Sequence, residues 1–165
     1  MTQFVVDDAA AMDALGRQLA RVLSTGAVVL LMGELGAGKT TLVRGVLRGL
    51  GFTGHVRSPT YTLMEGYEFQ DRVLQHLDLY RIRDVGELEF LGVRELDDPN
   101  RWVFVEWPER GVGYLPNPDL ELKLEFQDSG RRIGLNIHSE RGRRLAEDWR
   151  IMAKAAVIPG LAVKD

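Results

Sequence analysis

No cysteine occurs among the 165 residues, which excludes a disulfide framework, a thiolate metal site and a catalytic cysteine. Histidine is scarce as well, at three, and neither His55 nor His138 has a partner at a metal-ligand spacing. No apolar run approaches the roughly 20 residues that span a bilayer. The opening Met1-Thr2-Gln3-Phe4 is not a basic segment followed by an apolar one, so no membrane association and a cytoplasmic location are expected. Positive charge is not in excess either. The 21 Lys and Arg face 24 Asp and Glu, a net charge of -3, and whole-chain charge supplies no steering toward nucleic acid. Repeats, low-complexity segments and interdomain linkers are absent. The length predicts one domain, residues 1–158, with a loose tail over 159–165 after Pro159.

Glycine is plentiful, at 18, and three stand in Gly33-Glu34-Leu35-Gly36-Ala37-Gly38-Lys39-Thr40. The spacing is that of a phosphate-binding loop. Ahead of it Ala27 to Met32 is an apolar run of strand length, and behind it Lys39 to Leu50 carries apolar residues at helical spacing. Strand, glycine loop and helix together give backbone N–H groups turned around phosphate oxygens at the positive end of a helix dipole. Lys39 then reaches β- and γ-phosphates, and the Thr40 hydroxyl ligates Mg²⁺.

Gln3 to Val6 is a first strand, and Asp7-Asp8 cap a helix whose Met12, Leu15, Leu19, Val22 and Leu23 share a face. Tyr61 to Phe69 and Arg72 to Leu79 form an antiparallel hairpin, Val85 to Leu91 a short helix, and Trp102 to Val105 a buried strand. Alternating apolar residues over Leu120–Phe126 and Ile133–Ile137, around Asp128-Ser129-Gly130, make a second hairpin. Leu145 to Ala156 suits a terminal helix, and Arg141-Gly142-Arg143-Arg144 fits either its start or a solvated basic stretch. The predicted class is an α/β phosphate-loop fold. Its central strands are parallel and alternate with helices in the first half, its edges are antiparallel hairpins, and nucleotide sits at the carboxyl ends of the parallel strands.

Two acids are candidates for the chemistry. Glu106 ends the apolar strand, where a second acid projects toward a metal; a salt-bridged strand-end glutamate fits the same sequence. In His76-Leu77-Asp78-Leu79-Tyr80-Arg81, alternation puts His76, Asp78 and Tyr80 on one face, which is either a functional surface or a solvent-facing one. Ser58-Pro59-Thr60-Tyr61 is either a γ-phosphate sensor or an ordinary turn. Trp107 either stacks on a base or fills the core.

Taken together, Gly33 to Thr41, Ser58-Pro59-Thr60-Tyr61, His76-Leu77-Asp78-Leu79-Tyr80-Arg81 and Val105-Glu106-Trp107-Pro108 closely resemble the TsaE (YjeE) family over about residues 7 to 138. The resemblance implies a small cytoplasmic P-loop ATPase of tRNA threonylcarbamoyladenosine biosynthesis, hydrolysing weakly alone. It also implies the partners TsaB and TsaD, the latter modifying the adenosine next to the anticodon, with tRNA met only through the complex. By motif, Gly33, Glu34, Leu35, Gly36, Ala37, Gly38, Lys39, Thr40 and Thr41 bind the nucleotide, which the resemblance implies is ATP or ADP, and Thr40 and Glu106 serve Mg²⁺. Thr60 watches the γ-phosphate, Asp78 is needed for hydrolysis, and Trp107 lies near the nucleotide. Asp7, Asp8 and Arg131 are the candidates for an adenine pocket. The segment past Ser139 lies outside the family's pattern. A small-molecule kinase and a nucleotide-gated binding module that scarcely hydrolyses ATP are the alternative functions.

Overall fold

The computed structural model describes residues 1–165. One sheet of eight strands runs through it in the order β3-β4-β5-β2-β6-β7-β1-β8, where β1 is Gln3–Val6, β2 Ala27–Met32, β3 Met64–Glu68, β4 Val73–Asp78, β5 Arg101–Glu106, β6 Leu120–Gln127, β7 Gly130–Ile137 and β8 Leu161–Lys164. The helices are α1 (Ala9–Val22), α2 (Lys39–Gly49), α3 (Glu87–Phe90) and α4 (Glu140–Ala155). Strands β4, β5, β2 and β6 pair in parallel, and the outer pairs are antiparallel. Parallel strands must be covered on both faces. Val29, Leu31, Phe104 and Leu74 face the large core under α1, α2 and α4. The intervening Val28, Val103, Val105 and Leu77 face a smaller core closed by Leu79, Leu88, Val93 and Leu96.

Helices α1 and α2 meet at unusually short range. A side chain at Gly16 would lie 2.3 Å from the Leu42 carbonyl oxygen, and one at Gly45 would lie 2.2 Å from that of Asp13. The Asp8 carboxylate caps α1 by accepting from Ala11 N at 2.8 Å, as predicted.

Three expectations need correction. First, β1 does not join the parallel set: it lies antiparallel between β7 and β8, because the β6–β7 hairpin inserts next to β2 and offers β7 as the edge that β1 extends. Second, the extended stretch from Tyr61 begins only at Met64, since Leu63 takes φ +66 and its carbonyl accepts from Asp78 N at 3.0 Å. Third, residues 161–164 are no loose tail. They form β8, which satisfies the otherwise open edge of β1; Asp7 N donates to Gly160 O at 2.8 Å, and Asp165 pairs with Lys154 at 2.6 Å and Arg150 at 3.2 Å.

Residues 141–144 belong to α4, whose Trp149 is fully buried, 4.5 Å from the Phe4 ring, with its indole N–H donating to Leu15 O at 3.1 Å. The far end of the sheet is tied by Asp119, 3% exposed. Its carboxylate accepts from Val28 N at 2.8 Å, Ser139 Oγ at 2.6 Å and Arg141 at 2.7 Å, so one side chain joins β2 to the start of α4. Burial alone raises a carboxyl pKa; here the donors Arg141, Ser139 and Val28 N outweigh it and hold Asp119 below the ordinary 3.8.

Trp149→Ala is expected to lower unfolding free energy by about 3–5 kcal/mol, measured by denaturant unfolding; a change under about 1 kcal/mol contradicts the packing described. The depressed Asp119 carboxyl contributes stability that stands in full above pH 3.8 and drains as pH falls through its folded value. Asp119→Asn is therefore expected to be less stable at neutral pH and to lose less stability than wild type between pH 5 and pH 2, roughly the acid range of a depressed carboxyl, read from melting curves.

Candidate functional site

Past β2 the backbone turns through Gly33, Gly36 and Gly38, at φ +154, +79 and +102. A side chain at Gly33 would strike the Leu124 carbonyl oxygen at 2.6 Å. Gly38 is the N-cap of α2 and brings no side chain to it, so the first N–H groups of the helix point out of the loop without a protein partner at the positive dipole end. Such a cradle suits an anion. Lys39 folds back over the loop, where its ammonium donates to the carbonyls of Gly33 and of Glu34, the latter at 3.1 Å, and stands 4.1 Å from the Trp107 ring centroid. Burial pushes its pKa below the ordinary 10.5, against the opposing pull of Glu106, Asp78 and Glu109.

Strands β4 and β5 end side by side, with Asp78 opposite Glu106 in the parallel register. Both side chains lie on the large-core face, beneath the first turn of α2. Glu106 is 2% exposed, and the Thr40 hydroxyl donates to it at 2.9 and 3.1 Å from its two oxygens. His76 Nε2 lies 3.1 Å from Oε2 of the same carboxylate. Asp78 accepts from the Thr60 hydroxyl at 3.2 Å and from Tyr80 N at 3.0 Å, and Ser58 Oγ is 2.8 Å from Thr60 Oγ1.

A cleft of about 230 Å³ brings Lys39, Thr40, Thr41, Thr60, Asp78, Glu106 and Trp107 together with loop residues Leu35 to Gly38. Trp107 holds φ +56, a conformation that costs a non-glycine residue free energy, and it is half-buried: one side packs on the smaller core and the other lines the cleft. Its ring lies 5.0 Å from that of Tyr80, on which the Arg110 guanidinium rests at 5.2 Å.

Asp8 and Arg131 lie outside this cleft. With Asp7, Ser129 and Gly130 they line a second one of about 260 Å³, which shares Gly36, Ala37, Gly38 and Thr41 with the first. Arg131 donates to Gly36 O at 2.9 Å and rests 4.1 Å above the Phe126 ring, so the β6–β7 hairpin supports the loop directly. Gly33 and Glu34 face neither of these clefts. They face a third, with Trp107 and Lys123, and serve Lys39 through their carbonyls. No three His, Asp or Glu side chains gather to hold a metal by protein ligands alone. A hard cation that keeps waters and phosphate oxygens suits the pair Thr40 and Glu106, a hydroxyl and a carboxylate in contact at the cradle. The His76 contact with Glu106 escaped the sequence reading, whose one signal was the two-residue period that His76 shares with Asp78.

The family described as "Threonylcarbamoyl adenosine biosynthesis protein TsaE" matches residues 6–133. The tRNA threonylcarbamoyladenosine biosynthesis protein TsaE of Haemophilus influenzae is 39% identical over 150 residues, 88% of this chain and 94% of that protein. Its namesake in Synechocystis is 46% identical over 112 residues, 66% of this chain and 71% of that protein, and the one in Bacillus subtilis 35% over 136 residues, 82% and 85%. Among solved structures, Bacillus subtilis YdiB superposes with a TM-score of 0.73 at 26% identity, over 90% of this chain and 94% of that one. No helix is long and apolar enough to cross a membrane.

The Lys39 ammonium is expected to titrate below 10.5, followed by NMR of labelled lysine, and to titrate higher once pyrophosphate is added, because an anion in the cradle favours the charged form. A titration that pyrophosphate leaves in place contradicts the cradle.

Proposed function

This chain belongs to the TsaE family of threonylcarbamoyladenosine biosynthesis, and on that footing we propose that it is an Mg²⁺-dependent ATPase acting in the cytoplasm as a subunit of the tRNA-modifying assembly, with TsaB and TsaD. The observation that carries the reading is the single cleft in which a glycine loop, a buried lysine, a hydroxyl–carboxylate pair and a second carboxylate converge.

The loop amides and Lys39 bind the terminal phosphates, and Lys39 exchanges the carbonyls of Gly33 and Glu34 for phosphate oxygens. Thr40 and Glu106 would hold Mg²⁺, which supplies charge neutralisation on the phosphates. Adenine and ribose occupy the adjoining cleft between Asp7, Asp8 and Arg131, which the shared glycines connect to the phosphate site. Asp78 orients the attacking water, because its carboxylate ends a strand beside Glu106 and already accepts the Thr60 hydroxyl. Thr60, whose hydroxyl meets Asp78 on the loop between the Arg57–Tyr67 contact and the Leu63 turn, shifts toward the γ-phosphate when ATP is present and so reports it to a partner.

The test separates binding from turnover. Lys39→Ala is expected to abolish ATP binding in calorimetry. Asp78→Ala is expected to bind ATP within about threefold of wild type yet to lose turnover by about 10²-fold when assayed with TsaB and TsaD. Full turnover of Asp78→Ala overturns its assignment, and ATP binding by Lys39→Ala at wild-type strength overturns the ATP site.

A further inference from the structure

His76 is fully buried in the middle of β4, on the face beneath α2. One ring nitrogen, Nε2, lies 3.1 Å from Glu106 Oε2; the other, Nδ1, is buried with no partner. With the proton on Nε2, the ring donates to the carboxylate and Nδ1 is left a buried lone pair that no donor meets. An apolar side chain here would leave no such orphan, so the imidazole is a costly choice unless its one bond is useful.

The register shows what the bond does. His76 stands opposite Phe104, and Asp78 opposite Glu106, so the His76 ring reaches Glu106 on the diagonal, two positions further along β5. Thr40 contacts the same carboxylate from the first turn of α2, through both oxygens. A glutamate side chain has three rotatable bonds. Thr40 restrains it from the cradle side alone, whereas His76 fixes one oxygen from within the sheet, against the rigid β4 backbone. Granted the Mg²⁺ reading given above, on which this rests, we infer that His76 is a positioning residue: its Nε2–H locks the Glu106 carboxylate in the rotamer that meets Thr40, so that the acid is in place before nucleotide arrives.

Glutamine places an amide N–H about where Nε2 lies; asparagine, one carbon shorter, does not reach Glu106; leucine removes the donor and keeps the bulk. The affinity of a non-hydrolysable ATP analogue is measured by calorimetry with Mg²⁺ and again with EDTA for wild type, His76→Gln, His76→Asn, His76→Leu and Glu106→Gln, and the ratio of the two affinities is the readout. His76→Asn and His76→Leu are expected to lose about tenfold of that ratio, as loss of a partner behind a metal ligand does, and His76→Gln to stay within about threefold of wild type.

Should leucine fail to fold, glutamine against asparagine decides. A wild-type ratio in His76→Asn or His76→Leu, or an equal loss in His76→Gln and His76→Asn, overturns the role of His76. If Glu106→Gln loses the ratio while His76→Asn keeps it, only the positioning role fails. If wild type itself gains nothing from Mg²⁺ and Glu106→Gln matches it, the metal reading fails, and with it the reason for a positioned acid.

Discussion

A carboxylate at 2% exposure, Glu106, cannot stand at the end of a buried strand without donors, and the contacts it requires reach into two separate parts of the fold. Thr40 comes from the first turn of α2, which also brings the Lys39 charge, and His76 comes from the neighbouring strand β4. Those groups meet only if β2, β5 and β4 lie in one parallel register with α2 laid across them. Assembly of the sheet and assembly of the site are therefore one event. The same parallel register sets Asp78 beside Glu106, so one pairing aligns two acids under a single glycine loop.

The antiparallel side of the sheet does different work. Hairpin β6–β7 carries Arg131 to the Gly36 carbonyl and forms a wall of the second cleft, whose other wall starts at Asp7 and Asp8 between β1 and α1. This side is pinned by the C-terminal segment: Trp149 packs on Phe4, β8 covers β1, and Gly160 is bonded to Asp7 at the rim of the cleft. Asp119 braces the opposite end of the molecule, away from the loop. Rigid placement of a cleft by elements that never touch its contents is the usual division between scaffold and loop.

Legibility from sequence followed the range of the interactions. Gly33 to Thr40 could be read directly because its chemistry is local: glycines accept positive φ, the lysine is the residue beside the cap, and strand and helix lie on either side. Glu106 was legible by its place at a strand end, Asp78 by the alternation it shares with His76 and Tyr80, and the Asp8 cap by its position before a periodic helix. The place of β1, the conversion of the last residues into a strand, and the anchoring of α4 through Arg141 and Asp119 were not legible, since each depends on a partner outside its own element, Arg141 on Asp119 22 residues away and Asp119 on Val28 91 residues away, or on which sheet edge stands open. Arg141 is solvent-like in sequence and structural in space, because its charge has a buried mate.

By itself, then, the sequence determined which reactive groups this protein can bring to a site: the absence of cysteine, the glycine loop with its lysine and threonine, and the acids Asp78 and Glu106 are matters of residue type and spacing, which the chain possesses before it folds. Only the tertiary structure decided which side chains share an oxygen, that His76 and Thr40 grip one carboxylate, that Asp8 and Arg131 together line a second cleft, and that the chain's end seals its first strand. Those are distances between segments remote in sequence, and they exist only once burial of two apolar faces has brought eight strands into a single register.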